Sequence, residues 1–333
     1  MIKRTKCIVA SLLILAAVFY LVGCARQPVD GVGYNKDKIV IQYTPITSTF
    51  VTQYIMISGL LEEKLPQGVS IEWEMLQSGT AIREAVVAGH IDVACLNLPA
   101  TILGLENDMP LVILSGAIIH AGIVYSANPD IQSLDDIGPD HKLALLTIGG
   151  VFDLALKFAA GDIFGNPNRF DSIMVSMQTA EMLATIESSD TLDVIVVGFP
   201  ETLRANRIDK LTPIYDLSPI AIENNVGHLI VTNENFYNDN PVLVDAINEA
   251  FSEAVTFINE NPVEAVRIVY PELYGEIDFD DLVAQIIASP PFYRISESAF
   301  DRIAELMYGV GMIPNPPQPF TNLQNYDSIP KVP

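Results

Sequence analysis

Short polar loops that follow predicted strands carry the side chains best suited to chemistry in this sequence. They are rich in Ser, Thr, Asn and Gln, which make directed hydrogen bonds. The Gly149-Gly150 pair adds backbone that a bound molecule can approach closely. The loops span residues 44–49, 77–80, 97–99, 147–150 and 199–201. Hydrogen-bonding groups of this kind, with no nucleophile beside a base, predict ligand binding rather than catalysis.

We predict that ligand contacts come from these loops and from the aromatic side chains beside them. In open α/β sheets, ligands bind outside the carboxyl ends of the strands, where helix N-termini also present unpaired N–H groups. The predicted ligand-binding residues are Tyr43, Thr44, Thr49, Gln77, Ser78, Gly79, Thr80, Asn97, Leu98, Thr147, Gly149, Gly150, Phe199 and Glu201.

The sequence contains no recognisable catalytic motif. It has no Gly-x-Ser-x-Gly elbow, no Walker loop and no Gly-x-Gly-x-x-Gly fingerprint. His120 is interpreted as a strand histidine, Lys157 as a residue on the solvated face of a helix, and Cys95 as a buried structural thiol. Histidines and cysteines are not spaced as metal ligands. We therefore predict no catalytic residue, no metal and no cofactor.

The elements that position the loops alternate between strand and helix. Period-two or continuous apolar patterns predict strands at 38–43, 70–76, 111–127, 142–146 and 227–232. Helical spacing of apolar residues marks 50–63, 81–88, 241–259, 262–270, 279–288 and 297–309. This alternation predicts an α/β fold with mostly parallel central sheets flanked by helices.

Two stretches of the sequence resemble each other, and we call them the paired stretches. One runs from Thr80 through Asp92 to residues 99–101, and the other from Thr179 through Asp193 to residues 200–202. Each is predicted to contain a Thr-capped helix, a buried strand after the Asp, and a helix opened by Pro. The similarity predicts two lobes built on one plan.

The N-terminus has the organisation of a secretory signal. A basic start at residues 3–6 precedes an apolar run from 7 to 22. Leu21-Val22-Gly23-Cys24 resembles a bacterial lipobox, in which the cysteine is lipidated and becomes the new N-terminus. We therefore expect a signal peptide over 1–23, lipidation of Cys24 and a tether over 24–36. An uncleaved anchor, or an ordinary secretory signal with a chance cysteine, is the alternative.

Composition limits the classes of partner. The 333 residues include 18 Lys and Arg against 41 Asp and Glu, a formal net charge of −23, so the chain should repel nucleic acid and anionic lipid surfaces. No second apolar run approaches the ~20 residues that span a bilayer. The length exceeds one comfortable core and again predicts two lobes. With Cys7 removed and Cys24 lipidated, only Cys95 would remain free, which leaves no disulfide within the chain.

Several short motifs occur in a characteristic order: the lipobox, residues 77–80, 88–94, 133–137, 192–197, 240–242 and 257–265. This ordered series resembles an ABC-importer solute-binding lipoprotein over about residues 37–325. Within that class the chain resembles the taurine, alkanesulfonate and nitrate branch, which also includes binders of thiamine-pyrimidine precursors. One departure is Pro200-Glu201, where that branch has a glutamate followed by a proline.

The resemblance implies a two-lobed type II periplasmic-binding-protein fold with the ligand in the cleft between the lobes. Lobe 1 would comprise 37–126 and 226–333, lobe 2 would comprise 127–225, and hinge strands would join them. It also implies a monomer that is not an enzyme. The protein would capture a small organic solute and deliver it to the permease of a transporter driven by a cytoplasmic ATPase. The lipid on Cys24 would hold the chain on the outer face of the cytoplasmic membrane.

The nature of the solute depends on charge. A sulfonate or nitrate favours Arg, Lys or several converging N–H groups, and the five loops contain neither Arg nor Lys. This favours a neutral, zwitterionic or aromatic heterocyclic solute over a simple anion. The two candidate classes of solute are sulfonate-, taurine- or nitrate-like and pyrimidine- or vitamin-precursor-like. Two other functions stay open: a cytosolic enzyme on the same fold (a pyrimidine synthase or a menaquinone-route dehydratase), against which the lipobox counts, and a surface ligand sensor.

Overall fold

The computed structural model describes residues 33–44, 46–76, 78–119, 122–292 and 297–319. The predicted signal peptide, the lipidation site Cys24 and most of the predicted tether lie outside the described residues, as do Gln77 and His120. Across the described ranges, every helix is too short or too polar to cross a bilayer.

The first sheet combines strands that lie far apart in the sequence. Its strands are β1 (Lys38–Tyr43), β2 (Ser70–Met75), β3 (Val93–Asn97), β4 (Leu111–Ile119) and β10 (Gly227–Asn233). They lie in the order β2-β1-β3-β10-β4. β1 is parallel to β2 and β3, whereas β10 is antiparallel to both β3 and β4.

The second sheet repeats this plan. Its strands are β5 (Gly122–Ser126), β6 (Leu143–Leu145), β7 (Met174–Ser176), β8 (Val194–Gly198) and β9 (Thr212–Asp216), in the order β7-β6-β8-β5-β9. Here β6 is parallel to β7 and β8, and β5 is antiparallel to β8 and β9. The predicted α/β class is therefore confirmed, and each sheet is mixed because one of its strands, β10 or β5, runs antiparallel to the neighbours on both sides.

Helices connect and flank the strands. They are α1 (Phe50–Ser58), α2 (Leu60–Lys64), α3 (Gly79–Val87), α4 (Leu98–Leu105), α5 (Val151–Phe164), α6 (Thr179–Ser188), α7 (Glu201–Ala205), α8 (Ser218–Glu223), α9 (Glu234–Asp239), α10 (Pro241–Glu260), α11 (Pro262–Leu273), α12 (Phe279–Ala288) and α13 (Glu297–Gly309). The predicted apolar strand at 111–127 is two strands, because β4 joins the first sheet and β5 joins the second. The division of the chain into lobes at 127 and 226 stays a prediction.

The aspartates of the paired stretches hold equivalent positions in the two sheets. Asp92 Oδ2 accepts a hydrogen bond from the Val40 amide at 2.9 Å, and Asp193 Oδ2 accepts one from the Lys142 amide at 2.9 Å. Each carboxylate thus ties the start of a central strand, β3 or β8, to the neighbouring parallel strand. The second oxygen of Asp193 accepts a hydrogen bond from Asn128 Nδ2 at 3.0 Å.

The predicted threonine caps of the paired stretches are wrong. Ser78 is the N-cap of α3, and its Oγ accepts the Ala81 amide at 3.5 Å, so Thr80 lies inside the helix. Thr179 is the first residue of α6 and follows Gln178, whose side chain makes no capping bond. A cap position requires extended backbone before the first turn, which is the conformation of Ser78 and Gln178.

The segment after α12 packs across the two halves of the molecule. Side chains of α13 belong to a buried cluster that also contains residues of α4 and α5. Arg302 Nη2 donates to the Glu223 carbonyl at 3.3 Å, next to the second sheet, and the Gln318 amide donates to Glu106 Oε1 at 3.2 Å, at the end of α4. This segment therefore contacts elements associated with both sheets.

Candidate functional site

The predicted loops lie at the carboxyl ends of parallel strands. β1, β2 and β3 end at one edge of the first sheet, and β6, β7 and β8 end at one edge of the second. Every described candidate lies at or directly after one of these ends. Gln77 lies outside the described residues, and ligand contact by the others stays a prediction.

The loop after β1 is fixed by a buried glutamine. Gln42 Nε2 donates to Thr44 Oγ1 at 2.9 Å and to the Leu76 carbonyl at 2.8 Å, and Gln42 Oε1 accepts the Cys95 amide at 3.1 Å. Thr44 Oγ1 donates in turn to the Leu76 carbonyl at 2.6 Å. Gln42 therefore links the ends of β1 and β2 to β3, and the Thr44 hydroxyl is used within the protein. Cys95 is buried as predicted, and burial raises the pKa of its thiol.

A second glutamine ties the same loop to the C-terminal helices. Gln53 Nε2 donates to the Ile46 carbonyl at 2.8 Å, and Tyr274 Oη donates to Gln53 Oε1 at 2.6 Å. Thr49 Oγ1 donates to the Thr44 carbonyl. Because Thr49 and Tyr274 are both buried, these bonds hold the loop against the core. Burial also raises the pKa of Tyr274, which keeps it a hydrogen-bond donor.

The starts of α3 and α4 lie against each other. A methyl group on Gly79 would lie 2.7 Å from Asn97 Nδ2, so the glycine permits this approach. Asn97 Oδ1 accepts the Ala100 amide at 2.9 Å and caps α4, which leaves its Nδ2 facing Gly79. Ser78 and Thr80 are exposed, whereas Leu98 is buried. The structure thus brings Ser78, Gly79 and Asn97 together.

The loop after β6 uses its backbone donors internally. The Ile148 amide donates to Ser176 Oγ at 3.1 Å, the Gly149 amide to Asp153 Oδ2 at 2.7 Å, and the Gly150 amide to the Thr147 carbonyl at 3.0 Å. Gly149 has a φ of 84°, a left-handed conformation that suits glycine. Three successive N–H groups of this loop are therefore committed before any ligand arrives.

An ion network with two buried members, Asp153 and Lys157, lies beneath this loop. Lys157 Nζ is paired with Asp171 and lies 3.7 Å from Asp153 Oδ1 and 3.3 Å from Asn168 Oδ1. Burial raises the pKa of Asp153, against the opposing effects of the Gly149 N–H and Lys157. The prediction of a solvated Lys157 is wrong, since its side chain is 5% exposed. Apolar spacing could not reveal that the acid one turn earlier, Asp153, draws the lysine inward.

The end of β8 combines an aromatic residue with a carboxylate. The Phe199-Pro200 peptide bond is cis, and Phe199 is buried in a cluster with Phe50 and Ile118, which belong to the first sheet and its helix. Glu201 opens α7 and is half-buried. Burial raises the pKa of Glu201, although its own backbone N–H and Arg204 oppose that shift.

Large apolar side chains are exposed at the same strand ends. The exposed fractions are 39% for Ile46, 53% for Met75, 41% for Leu146 and 47% for Ile148. They follow β1, end β2 and follow β6, so both sheets contribute.

Several residues that shape the site were not among the predicted ligand-binding residues. Ser176 ends β7 and precedes α6, so its position matches that of the other predicted loops. Asp153 lies in the first turn of a helix that follows two glycines. An acid at that position could have been predicted to accept a hydrogen bond from the preceding loop. Gln42, Gln53 and Tyr274 carry no local signal. In the described part of the chain, no group of three or more His, Cys, Asp or Glu side chains is placed to hold a metal ion.

Comparison with known proteins identifies the family. The profile described as NMT1/THI5 like matches residues 66–265, more than half of the chain. The chain belongs to the NMT1/THI5-like family. Together with the relatives described next, this match confirms the predicted resemblance.

Relatives and solved structures extend the likeness beyond the NMT1/THI5-like segment. A Brachyspira hyodysenteriae protein named as an ABC transporter periplasmic binding protein is 24% identical over 279 residues, 80% of this chain and 78% of its own. The alkanesulfonate-binding protein of Xanthomonas axonopodis pv. citri, bound to MOPS, has a TM-score of 0.69 at 13% identity, covering 86% of this chain and 97% of its own. The nitrate-binding protein of Synechocystis PCC 6803 has a TM-score of 0.66 at 16% identity, covering 84% and 82%.

These structural matches establish the fold. The two five-stranded mixed sheets with flanking helices are those of a type II periplasmic binding protein, as predicted. At these identities the likeness concerns the fold alone, and the ligands named for the neighbours are theirs.

Proposed function

We propose that this chain is the solute-binding component of an ABC importer. The observation that carries the proposal is the placement of hydrogen-bonding loops at the carboxyl edges of two sheets built on one plan. Such edges are where open α/β sheets bind ligands, and clefts between domains are favoured binding sites. The Brachyspira relative, named as an ABC transporter periplasmic binding protein, and the family match both support it.

The proposed ligand contacts are the predicted loop residues that line these edges. Ser78, Thr80 and Thr147 offer exposed hydroxyls, and Asn97 and Glu201 follow the two central strands. Thr44 and Thr49 act chiefly by holding the loop after β1, since their hydroxyls are bonded internally. We propose lobes of 37–126 with 226–333, and of 127–225, that close on the ligand by a hinge motion.

The proposed cargo is a small organic solute. The neighbours are named for alkanesulfonate and nitrate, which makes a sulfonate- or nitrate-like solute one candidate class. The sequence favours the other, a pyrimidine-like or vitamin-precursor-like solute, because the five loops lack Arg and Lys. The relatives reported above are named as binding proteins and not as enzymes.

The proposed location is the outer face of the cytoplasmic membrane, with Cys24 lipidated and the loaded chain docking on a permease that a cytoplasmic ATPase drives. Incorporation of radiolabelled palmitate into the expressed chain tests the anchor. Wild-type chain should be labelled and the Cys24→Ser variant should not. Equal labelling of both would remove Cys24 as the attachment site.

The binding function is tested by thermal unfolding of the purified protein with sulfonates, nitrate, amino acids, pyrimidines and other vitamin precursors. A ligand at one hundred times its Kd stabilises the folded state by about 2.7 kcal/mol, which raises Tm measurably. A shift confined to one chemical class supports the proposal and identifies the cargo class. Unchanged Tm with every class counts against it.

A further inference from the structure

Three backbone donors that could bind an oxyanion at the second sheet are already used. Oxyanion sites in α/β folds rely on converging backbone N–H groups at a loop and a helix N-terminus. Here the amides of Ile148, Gly149 and Gly150 donate to Ser176, Asp153 and Thr147. An anion entering this loop would have to displace these bonds.

The charge beneath the loop also opposes an anion. Asp153 is 1% exposed and lies in the first turn of α5, where its carboxylate offsets the positive end of the helix dipole. The network of Asp153, Lys157 and the exposed Asp171 contains two carboxylates and one ammonium group. Its formal charge is therefore negative when all three groups are ionised.

The side-chain donors of the loop after β1, in the first sheet, are also used within the protein. Thr44 and Thr49 donate to backbone carbonyls, and the amide groups of Gln42 and Gln53 do the same. The exposed hydroxyls of Ser78, Thr80 and Thr147 both donate and accept, so they do not discriminate between charge classes.

Acceptor capacity, by contrast, is concentrated at Glu201. Its carboxylate is half-buried at the end of the central strand β8, beside Phe199, which packs into the cluster of the first sheet. The equivalent position in the other paired stretch is Ala100, so the structure that the two stretches share does not require an acidic residue there. A partly desolvated carboxylate gains most from a charged or strongly polarised donor.

Resting on the proposed function, we propose that the cleft selects a solute with a cationic or donor-rich polar group, held by Glu201, and an apolar body, and that it rejects simple oxyanions. The apolar body would meet the exposed side chains of Ile46, Met75, Leu146 and Ile148, which come from both sheets. This selectivity differs from that named for the alkanesulfonate- and nitrate-binding neighbours.

The test is isothermal titration calorimetry of the full chain with matched probes. Aryl- and heteroaryl-methylamines are compared with sulfonates on the same rings, and with nitrate. The variant is Glu201→Gln, which removes the charge and keeps the shape. Glu187→Gln is the matched control, because Glu187 is exposed near the end of α6 on the same half of the molecule. Thermal unfolding of both variants checks that they are folded.

At least one amine should bind wild-type protein more tightly than its sulfonate partner. Glu201→Gln should weaken that binding about 10- to 100-fold, the usual effect of losing a charge-assisted hydrogen bond. Glu187→Gln should change it less than about 2-fold. Equal losses in both variants, or tighter binding of the sulfonates, overturns the charge assignment.

The failures of the two proposals are distinguishable. If sulfonates or nitrate bind and amines do not, the binding function stands and the selectivity is wrong. If no probe binds, and the wider solute panel leaves Tm unchanged as well, both proposals are contradicted.

Discussion

Asp153 Oδ2 lies 2.7 Å from the Gly149 amide nitrogen and accepts its hydrogen bond. The contact spans one turn of chain and sets a buried carboxylate beneath the loop that follows β6. It satisfies the backbone of a glycine at φ 84° and brings Lys157 into the interior. The loop's shape and its electrostatic character thus have the same cause.

The first prediction concerns the pH dependence of stability at Asp153. Burial raises the pKa of this carboxyl in the folded state, so the folded chain holds its proton to a higher pH than the unfolded chain does. The contribution of Asp153 to stability should therefore be greatest below its ordinary pKa and fall as pH rises through the raised value. Urea unfolding of wild type and Asp153→Asn at pH 3.5 and 7 measures it.

The unfolding free energy of wild type, relative to the variant, should be lower at pH 7 than at pH 3.5. A difference that is constant with pH would show that folding leaves the pKa of Asp153 unchanged, and one that increases would show that Lys157 outweighs burial; either outcome contradicts the prediction. Asp140→Asn, at an exposed position, provides the baseline for a carboxylate replaced in solvent.

The second prediction concerns Tyr274, whose hydroxyl donates to Gln53 Oε1 at 2.6 Å. Tyr274→Phe leaves the glutamine oxygen buried without that donor. We expect the unfolding free energy to fall by about 1–3 kcal/mol, the cost of an unsatisfied buried acceptor. Denaturant unfolding measures it, and Tyr308→Phe, which removes a hydroxyl from a side chain 43% exposed, should cost far less. Similar losses in both variants would contradict the buried role.

The third prediction tests whether Asp193 ties the start of β8 to the neighbouring strand β6. Asp193 accepts hydrogen bonds through both oxygens, from Lys142 N and Asn128 Nδ2. An asparagine has one acceptor oxygen, so Asp193→Asn must lose one of them. We expect a loss of about 1–3 kcal/mol in the free energy of unfolding.

Asp190→Asn is the control, because that side chain is 94% exposed and solvent screens its ion pair with Lys210, so its loss should change stability little. Calorimetric Tm values for the two variants make the comparison. If Asp193→Asn is as stable as Asp190→Asn, the carboxylate does not hold β8 to β6.

The fourth prediction concerns Gly116 in β4. A methyl group there would lie 2.4 Å from Phe292 Cδ2 and 2.5 Å from the Phe292 carbonyl oxygen. Gly116→Ala should displace the Phe292 segment, whose amide donates to the Ala117 carbonyl at 2.9 Å, and cost about 1–3 kcal/mol. Gly275→Ala has open space around it and serves as the control in the same thermal unfolding assay. Equal Tm values would contradict the contact.

Much of the fold was predictable because its signals are local. The helix predicted at 241–259 is α10, Pro241–Glu260, since its Pro start and apolar spacing both lie within the segment. The boundary within 111–127 was not predictable, because both strands there are apolar. Only their pairing with distant strands, β10 for β4 and β8 for β5, separates them.

The site was predictable as a set of loops and not as a set of contacts. Strand-then-helix patterns located the loops around Asn97 and Gly149 correctly. Pairings such as Tyr274 with Gln53, 221 residues apart, are tertiary and leave no trace in local sequence. The solvated role expected for Lys157 failed for the same reason, since Asp171 reaches it from outside its helix.

The position of β10 has a consequence for biosynthesis. It inserts antiparallel between β3 and β4, yet it is synthesised only after the whole second sheet. Until residue 233 emerges, the facing edges of β3 and β4 lack their partner, and both strands are largely buried apolar sequence. Unpaired apolar edges promote association between nascent chains, and late non-local pairing slows folding. Maturation of this protein should therefore be sensitive to chaperones that shield the chain while its middle third is being completed.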